Sequence, residues 1–154
     1  MDQFKIISNN RKAFHEYKIG DTWEAGIVLT GTEVKSLRAG KCNLGDGWVD
    51  IDGRGEAWLR DAQITPYSHG THANHLEKRS RKLLLHKAEL LKIARQIEEK
   101  GLTIIPLKIY FKDSRVKVEI AVARGKQAHD KRESTKTREA NRDMARALRT
   151  RNKG

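Results

Sequence analysis

Two apolar runs, LTIIPLKIYF (102–111) and VKVEIAVARG (116–125), constrain the fold more than any other feature of this chain. In the second run Val116, Val118, Ile120 and Val122 recur with the period of two that places alternate side chains on one face of a strand. Lys117 and Glu119 fall on the other face. The residues between the runs, Lys112–Arg115, have the length and polarity of a hairpin turn. Pro106 has no N–H to give a ladder, so its strand is expected at a sheet edge there, or bulged.

Further elements follow the same logic. The stretch TWEAGIVLTG (22–31) reads as a largely buried strand ended by glycine, and Thr32 then offers an N-cap hydroxyl to a short helix, EVKSLRAG, closed by Gly40. DGWVDIDGRGEAWLRDA (46–62) alternates and turns through Asp52–Gly55, a second hairpin. HKAELLKIARQIEEKG (86–101) is a helix, with His86 as N-cap, Glu89 three residues on, and Gly101 as its stop. Leu90, Ile93, Ala94 and Ile97 share one stripe of it, read as core. Short strands with a late helix point to a mainly β fold with added helices over residues 1–125. The expected architecture is a small, closed OB-fold-type antiparallel β-barrel, a class that often binds oligonucleotides.

Charge narrows the partner. The 154 residues carry 32 Lys+Arg against 20 Asp+Glu, a formal net of +12 with pI ≈ 10.0. That excess favours polyanions, nucleic acid first. No apolar run approaches the roughly 20 residues of a membrane span. MDQFKIISNN has no secretory pattern, and the lone Cys42 cannot close an internal disulfide, so a reducing cytoplasm is expected. Half the surplus charge lies in residues 126–154, KQAHDKRESTKTREANRDMARALRTRNKG. That segment has almost no large apolar groups, so it is expected to be a disordered basic tail when the protein is alone. Ala140, Met144, Ala147 and Leu148 nevertheless recur at helical spacing beside Arg138, Arg142, Arg146 and Arg149. A latent helix is encoded, marginal by itself, that could form against phosphates.

The candidate chemistry is binding. His69, His72 and His75 in HGTHANH have a spacing that could hold a metal, but a polar loop with Gly70 and Asn74 reads as exposed histidines. His129 and Asp130 are adjacent in a flexible segment, a poor platform for acid–base work that needs fixed geometry. No phosphate-binding glycine loop and no nucleophile elbow is present, so no enzyme, metal or cofactor is expected. Basic clusters are more informative. Arg11 and Lys12 stand among Asn10, His15 and Tyr17, offering cations to phosphates and an amide and rings to bases or sugars. KRSRK (78–82) adds Arg79, Arg81 and Lys82, although an isolated charge run is usually a solvated loop. Lys35, Arg38 and Lys41 lie on or beside the short helix. One shared RNA face accounts for all three groups.

NRKAFHEY, WEAGIVLTGTEVKSLRAGKCNL, ITPY, RSRKLLLHKAEL, GLTIIPLKIYF and GKQAHDKRE, in this order and over nearly the whole chain, resemble the sequence blocks of the SsrA-binding protein (small protein B) family. The resemblance implies an OB-type barrel with added helices that binds the tRNA-like domain of transfer-messenger RNA and supports its alanylation. It further implies delivery with elongation factor Tu to the stalled 70S ribosome, as a monomer. There the barrel would fill the space of a missing anticodon arm. The tail would enter the vacant mRNA channel at the small-subunit decoding centre and fold as a helix. By position, the resemblance puts tRNA-like-domain contacts on Asn10, Arg11, Lys12, Glu24 and the RKLLL block with Leu85, supported by the GTEVKSLR helix. It puts decoding-centre contacts on Gly125, Lys126, His129, Asp130, Lys131 and Arg132. Glu24 could accept hydrogen bonds from base amines or a 2′-hydroxyl, with a salt bridge as the bland alternative; Leu85 is more easily read as core from the residues alone. Two departures from the family pattern stand out. Gly47 in GDGW is expected only to loosen a turn, and Glu77 replaces a common proline. A general OB-fold RNA-binding or ribosomal protein with a nonspecific basic tail is the alternative, and a metal-dependent nuclease built on the histidines is a third.

Overall fold

The computed structural model describes residues 4–67 and 74–125. The expectations for His69, His72 and residues 126–154 lie outside them. The chain opens with β1 (Phe4–Asn9), α1 (Arg11–Glu16), β2 (Tyr17–Ile27) and α2 (Gly31–Arg38). Next come β3 (Cys42–Asn43), β4 (Trp48–Ile51), β5 (Ala57–Arg60), β6 (Gln63–Ile64) and β7 (Arg81–Leu84). The last elements are α3 (Lys87–Lys100), β8 (Thr103–Lys112) and β9 (Arg115–Gly125). One seven-stranded sheet has the order β1-β8-β9-β2-β7-β5-β4, with antiparallel pairing throughout, and β3 pairs with β6 in a second, two-stranded sheet. Both hairpins are present as read.

The sheet curls until β4 lies against β8, but among the described residues no ladder joins them. The expected closed barrel is therefore an open one. Its cause is visible in the strand order: β1 takes the edge of β8 that a closing strand would need. At Pro106 β8 pairs with β9 alone, because the β1 ladder stops at Lys108, and the β8–β9 register slips between Pro106 and Lys108. The local edge and the bulge expected of a residue with no N–H to give are both present.

The main core gathers Leu37, Leu59, Ile93, Ile109, Val118 and Ile120, all at most 1% exposed. Full burial of such a side chain contributes about 1.5–3 kcal/mol. Val116 and Val122 join this core, so the shared face of β9 forms as the alternation predicts. Ala121 and Ala123 on the opposite face enter a smaller cluster with Ala13, Ile105 and Leu107, roofed by α1. Residues 120–123 of β9 are thus buried on both sides.

Three local expectations are corrected. α2 is capped by Thr30, not Thr32: Thr30 Oγ1 accepts from Glu33 N, and Glu33 Oε1 accepts from Thr30 N. β2 starts five residues earlier than read and is half-buried or exposed along its length, with Ala25 its one fully buried residue, because its outer face is not covered by another layer. α3 has its His86–Glu89 capping box and its left-handed Gly101, but Ala94 is exposed and the buried stripe is Leu90, Ile93 and Ile97.

Candidate nucleic-acid interface

Glu33 ties the short helix to the second basic cluster. Its side chain is 0% exposed, as is that of Arg81, whose Nε donates to Glu33 Oε2. Arg79 Nη2 donates to Oε1 at 2.5 Å and to Val28 O at 3.3 Å. Burial alone would raise the Glu33 carboxyl, yet donors from Arg79, Thr30 and Arg81 outweigh it and hold it below the usual carboxylate range. Arg81 also donates to Ala62 O at 2.9 Å and Glu77 O at 3.1 Å, which fixes the loop at Glu77 without a proline. Arg81 was expected on the RNA face and is instead part of the frame. A guanidinium with five donors suits a closed set of carbonyl and carboxylate acceptors. Arg79 is half-buried against the same carboxylate, and Lys82 pairs with Glu56 at 3.4 Å.

Asn10 is likewise interior, at 4% exposure. Its amide donates to Pro106 O at 2.8 Å and Leu44 O at 3.3 Å, and its Oδ1 caps α1 by accepting from Ala13 N at 3.2 Å. Both amide hydrogens are taken and Oδ1 already caps the helix, so Asn10 holds α1 in place. Arg11, Lys12 and His15 on that helix are exposed, and Lys12 has only a loose ion pair with Asp46 at 3.5 Å. A cleft of about 310 Å³ beside them is lined by Asn10, Lys12, Tyr17, Asp46 and Trp48 among others. Tyr17 pairs with Gly125 across β2 and β9, which brings Gly125 next to this cluster. Gly47 does more than loosen its turn: a Cβ there would lie 3.1 Å from both Leu44 O and Pro106 Cγ.

The remaining cations separate. Lys35 lies over the Tyr67 ring at 5.5 Å, whereas Arg38 opens onto a groove with Phe4, Lys5 and Phe111. Lys41 is exposed, and Leu85 is half-buried against the main core. His75 is not an exposed loop histidine. It is 8% exposed, with Nδ1 2.9 Å from Thr32 Oγ1 and Nε2 2.8 Å from Ile64 O. Among the described residues no three His, Cys, Asp or Glu side chains could hold a metal ion, and no helix is long and apolar enough to cross a membrane.

Glu24 lies on the outer face of β2 with its side chain 40% exposed. Tyr110 donates its hydroxyl to Oε2 at 2.5 Å and Lys112 approaches Oε1 at 3.5 Å. The Tyr110 hydrogen bond, with help from Lys112 and Lys117, keeps the Glu24 carboxyl below its usual range against the opposing effect of burial. Tyr110 has no local sequence signal beyond its place in LKIYFK, where Lys108, Tyr110 and Lys112 alternate along one face of β8.

The profile of a family described as SmpB protein matches residues 7–150. The chain is 57% identical over 150 residues to an SsrA-binding protein of Nocardioides sp., covering 97% of this chain and 94% of that one. It is 56% identical over 147 residues to an SsrA-binding protein of Syntrophotalea carbinolica, covering 96% and 97%. A chain of a solved structure described as "tmRNA-SmpB: a journey to the center of the bacterial ribosome" superposes with a TM-score of 0.67 at 49% identity, covering 80% of this chain and 87% of that one. A family profile and relatives that span the chain end to end, on the mainly antiparallel β fold described above, lead to one conclusion: the chain belongs to the SmpB protein family.

Proposed function

We propose that this chain is an RNA-binding protein of trans-translation, one that holds the tRNA-like domain of transfer-messenger RNA and accompanies it to stalled ribosomes. The observation that carries this reading is the near full-length identity to SsrA-binding proteins, joined to likeness to a tmRNA-SmpB structure of the bacterial ribosome. Its chemistry agrees. Arg11, Lys12 and His15 are exposed on a helix aimed from beneath by Asn10, and cations so placed meet phosphates. Glu24 is an ionised acceptor suited to base amines or a 2′-hydroxyl, which phosphate-binding lysines cannot replace. Lys35, Arg38, Lys41, Arg79 and Lys82 are secondary contacts, and Arg81 and Asn10 act by holding others in place.

The work is recognition and delivery, with no bond made or broken by the protein. Elongation factor Tu would join through the aminoacylated RNA, and the cytoplasm is where such ribosomes are met. Gly125, Lys126, His129, Asp130, Lys131 and Arg132 would contact the decoding centre. Arg138, Arg142, Arg146 and Arg149 would line a helix in the vacant mRNA channel, where messenger RNA, if present, would occupy the same electronegative groove. Ending the chain after Gly125 tests the division of labour. Binding of a tRNA-like-domain RNA should persist while tagging on stalled ribosomes is lost. Loss of RNA binding in the truncated chain, or equal affinity of the full chain for random RNA, would overturn the reading and favour a general RNA binder.

A further inference from the structure

Tyr110 and Glu24 stand on strands that are not neighbours. Tyr110 belongs to β8 and Glu24 to β2, with β9 between them. Two strand spacings amount to about 10 Å, so the tyrosine must lie flat across the intervening strand to make its 2.5 Å hydrogen bond. It is held there from outside. The Phe4 ring packs on it with centroids 4.7 Å apart, and Lys108 Nζ lies 5.6 Å from the Phe4 ring and 5.7 Å from the Tyr110 ring. Tyr110 is consequently 3% exposed on a face that otherwise meets solvent.

This strut solves a local conflict. Glu24 is directly opposite Glu119 of β9, and like charges at opposed positions repel. Glu119 turns to Lys108 at 3.7 Å, and Glu24 turns to Tyr110, with Lys112 on its other oxygen. The groups facing Glu24 are therefore Tyr110, Lys108 and Lys112 of β8 and Lys117 and Glu119 of β9. Oε2 is committed to the phenol at 2.5 Å, whereas Oε1 has only the long 3.5 Å contact of the exposed Lys112, so Oε1 is the oxygen more open to a partner. A flexible carboxylate would have no such preference.

We propose that Tyr110 is the positioning residue that presents the Glu24 carboxylate to RNA, fixing which oxygen accepts from a base amine or 2′-hydroxyl. This rests on the reading above that Glu24 touches the tRNA-like domain. Glu24→Gln, Tyr110→Phe and the double variant, each checked for folding by thermal melting, are titrated with tRNA-like-domain RNA from pH 7 down to pH 4. Each single change should weaken binding about tenfold, the scale of one hydrogen bond to a charged group. The double variant should bind no worse than Glu24→Gln. In Tyr110→Phe, affinity should begin to fall at a higher pH than in the parent chain, because Glu24 has lost the donor that favours its charged form; a merely structural tyrosine would not move that profile.

Parent-like binding by Glu24→Gln would remove the contact itself. Loss in Glu24→Gln with parent-like binding by Tyr110→Phe, or fully additive losses, would leave the contact standing and overturn the positioning role. Should Tyr110→Phe fail to fold, 3-fluorotyrosine at position 110 keeps the shape with a more acidic hydroxyl and must shift the fall in affinity to lower pH. An unmoved profile there sinks the proposal equally.

Discussion

Arg81 donates through Nε to Glu33 Oε2 where neither side chain reaches solvent, and this pair joins β7 to the first turn of α2. Arg81→Met leaves Glu33 with Arg79 and Thr30 N but orphans the Ala62 and Glu77 carbonyls, and buried acceptors left unmet cost about 1–3 kcal/mol each. Arg81→Met should therefore destabilise the chain strongly in urea unfolding, and adding Glu33→Leu, which also removes the α2 cap and the Arg79 partner, should not recover the loss. The folded Glu33 carboxyl titrates below its ordinary value, so its contribution is present above that value and is lost as pH falls through the lowered one. Thermal melting against pH should show an acid limb that Glu33→Gln flattens. An unchanged limb would remove Glu33 as its cause.

Asn10 offers a cleaner separation between framing and contact. Asn10→Asp retains an oxygen for the Ala13 N–H but replaces the two donors that meet Pro106 O and Leu44 O with a carboxylate. Unpaired buried acceptors cost about 1–3 kcal/mol each, more where a charge is involved. A drop of at least about 2 kcal/mol in urea unfolding is expected, with RNA affinity falling only as far as the folded fraction does. If affinity falls tenfold while stability holds, Asn10 touches RNA itself.

The two hairpins and α3 were legible because period and caps speak locally, whereas the short β1, α1 and β7 carry no such period. Val116, Val118, Ile120 and Val122 needed only alternation. Thr30 was legible too, since Thr30 and Glu33 form the S/T-x-x-E capping signature, yet Thr32 drew attention as the later hydroxyl. What composition hides is pairing across distance. Arg81 and Glu33 are 48 residues apart, Tyr110 and Glu24 are 86 apart, and nothing local distinguishes a framing arginine from a phosphate-binding one. His75 misled for the same reason: its partners, Thr32 and Ile64, belong to other segments. The candidate site was readable as a set of residue types and as a family resemblance, while each residue's role required the fold.

Arg11 and Lys12 are exposed and, among the described residues, held by no strong acidic partner, Lys12 meeting Asp46 only at 3.5 Å with both side chains largely exposed. Cations in that condition release counterions when they meet phosphates, contributing about 0.7–0.9 to the slope of log affinity against log salt for each contact. Reversing both charges should weaken binding of the tRNA-like domain at low salt and reduce the magnitude of that slope by more than about 1. A slope identical to the parent chain's would mean that neither residue meets a phosphate.

Cys42 pairs with Ile64 in the small sheet and packs against the main core beside the Arg81 charge. Burial pushes its thiol up to about 11, and the nearby arginine, which would pull it down, does not overcome that. Only the thiolate attacks a disulfide reagent, so near pH 8 the folded chain should react roughly a hundredfold more slowly than the unfolded chain. The shift has a consequence for stability. A thiol whose folded value is raised contributes stability that is present below the unfolded value of 9.0 and lost as pH rises through about 11. Other groups titrate in that range, so the comparison is with Cys42→Ala, whose alkaline loss of stability should be shallower than the parent's. Rapid labelling of the folded parent at pH 8, at the rate of the unfolded chain, would show instead that the thiol is open to solvent and that this edge of the core is not closed.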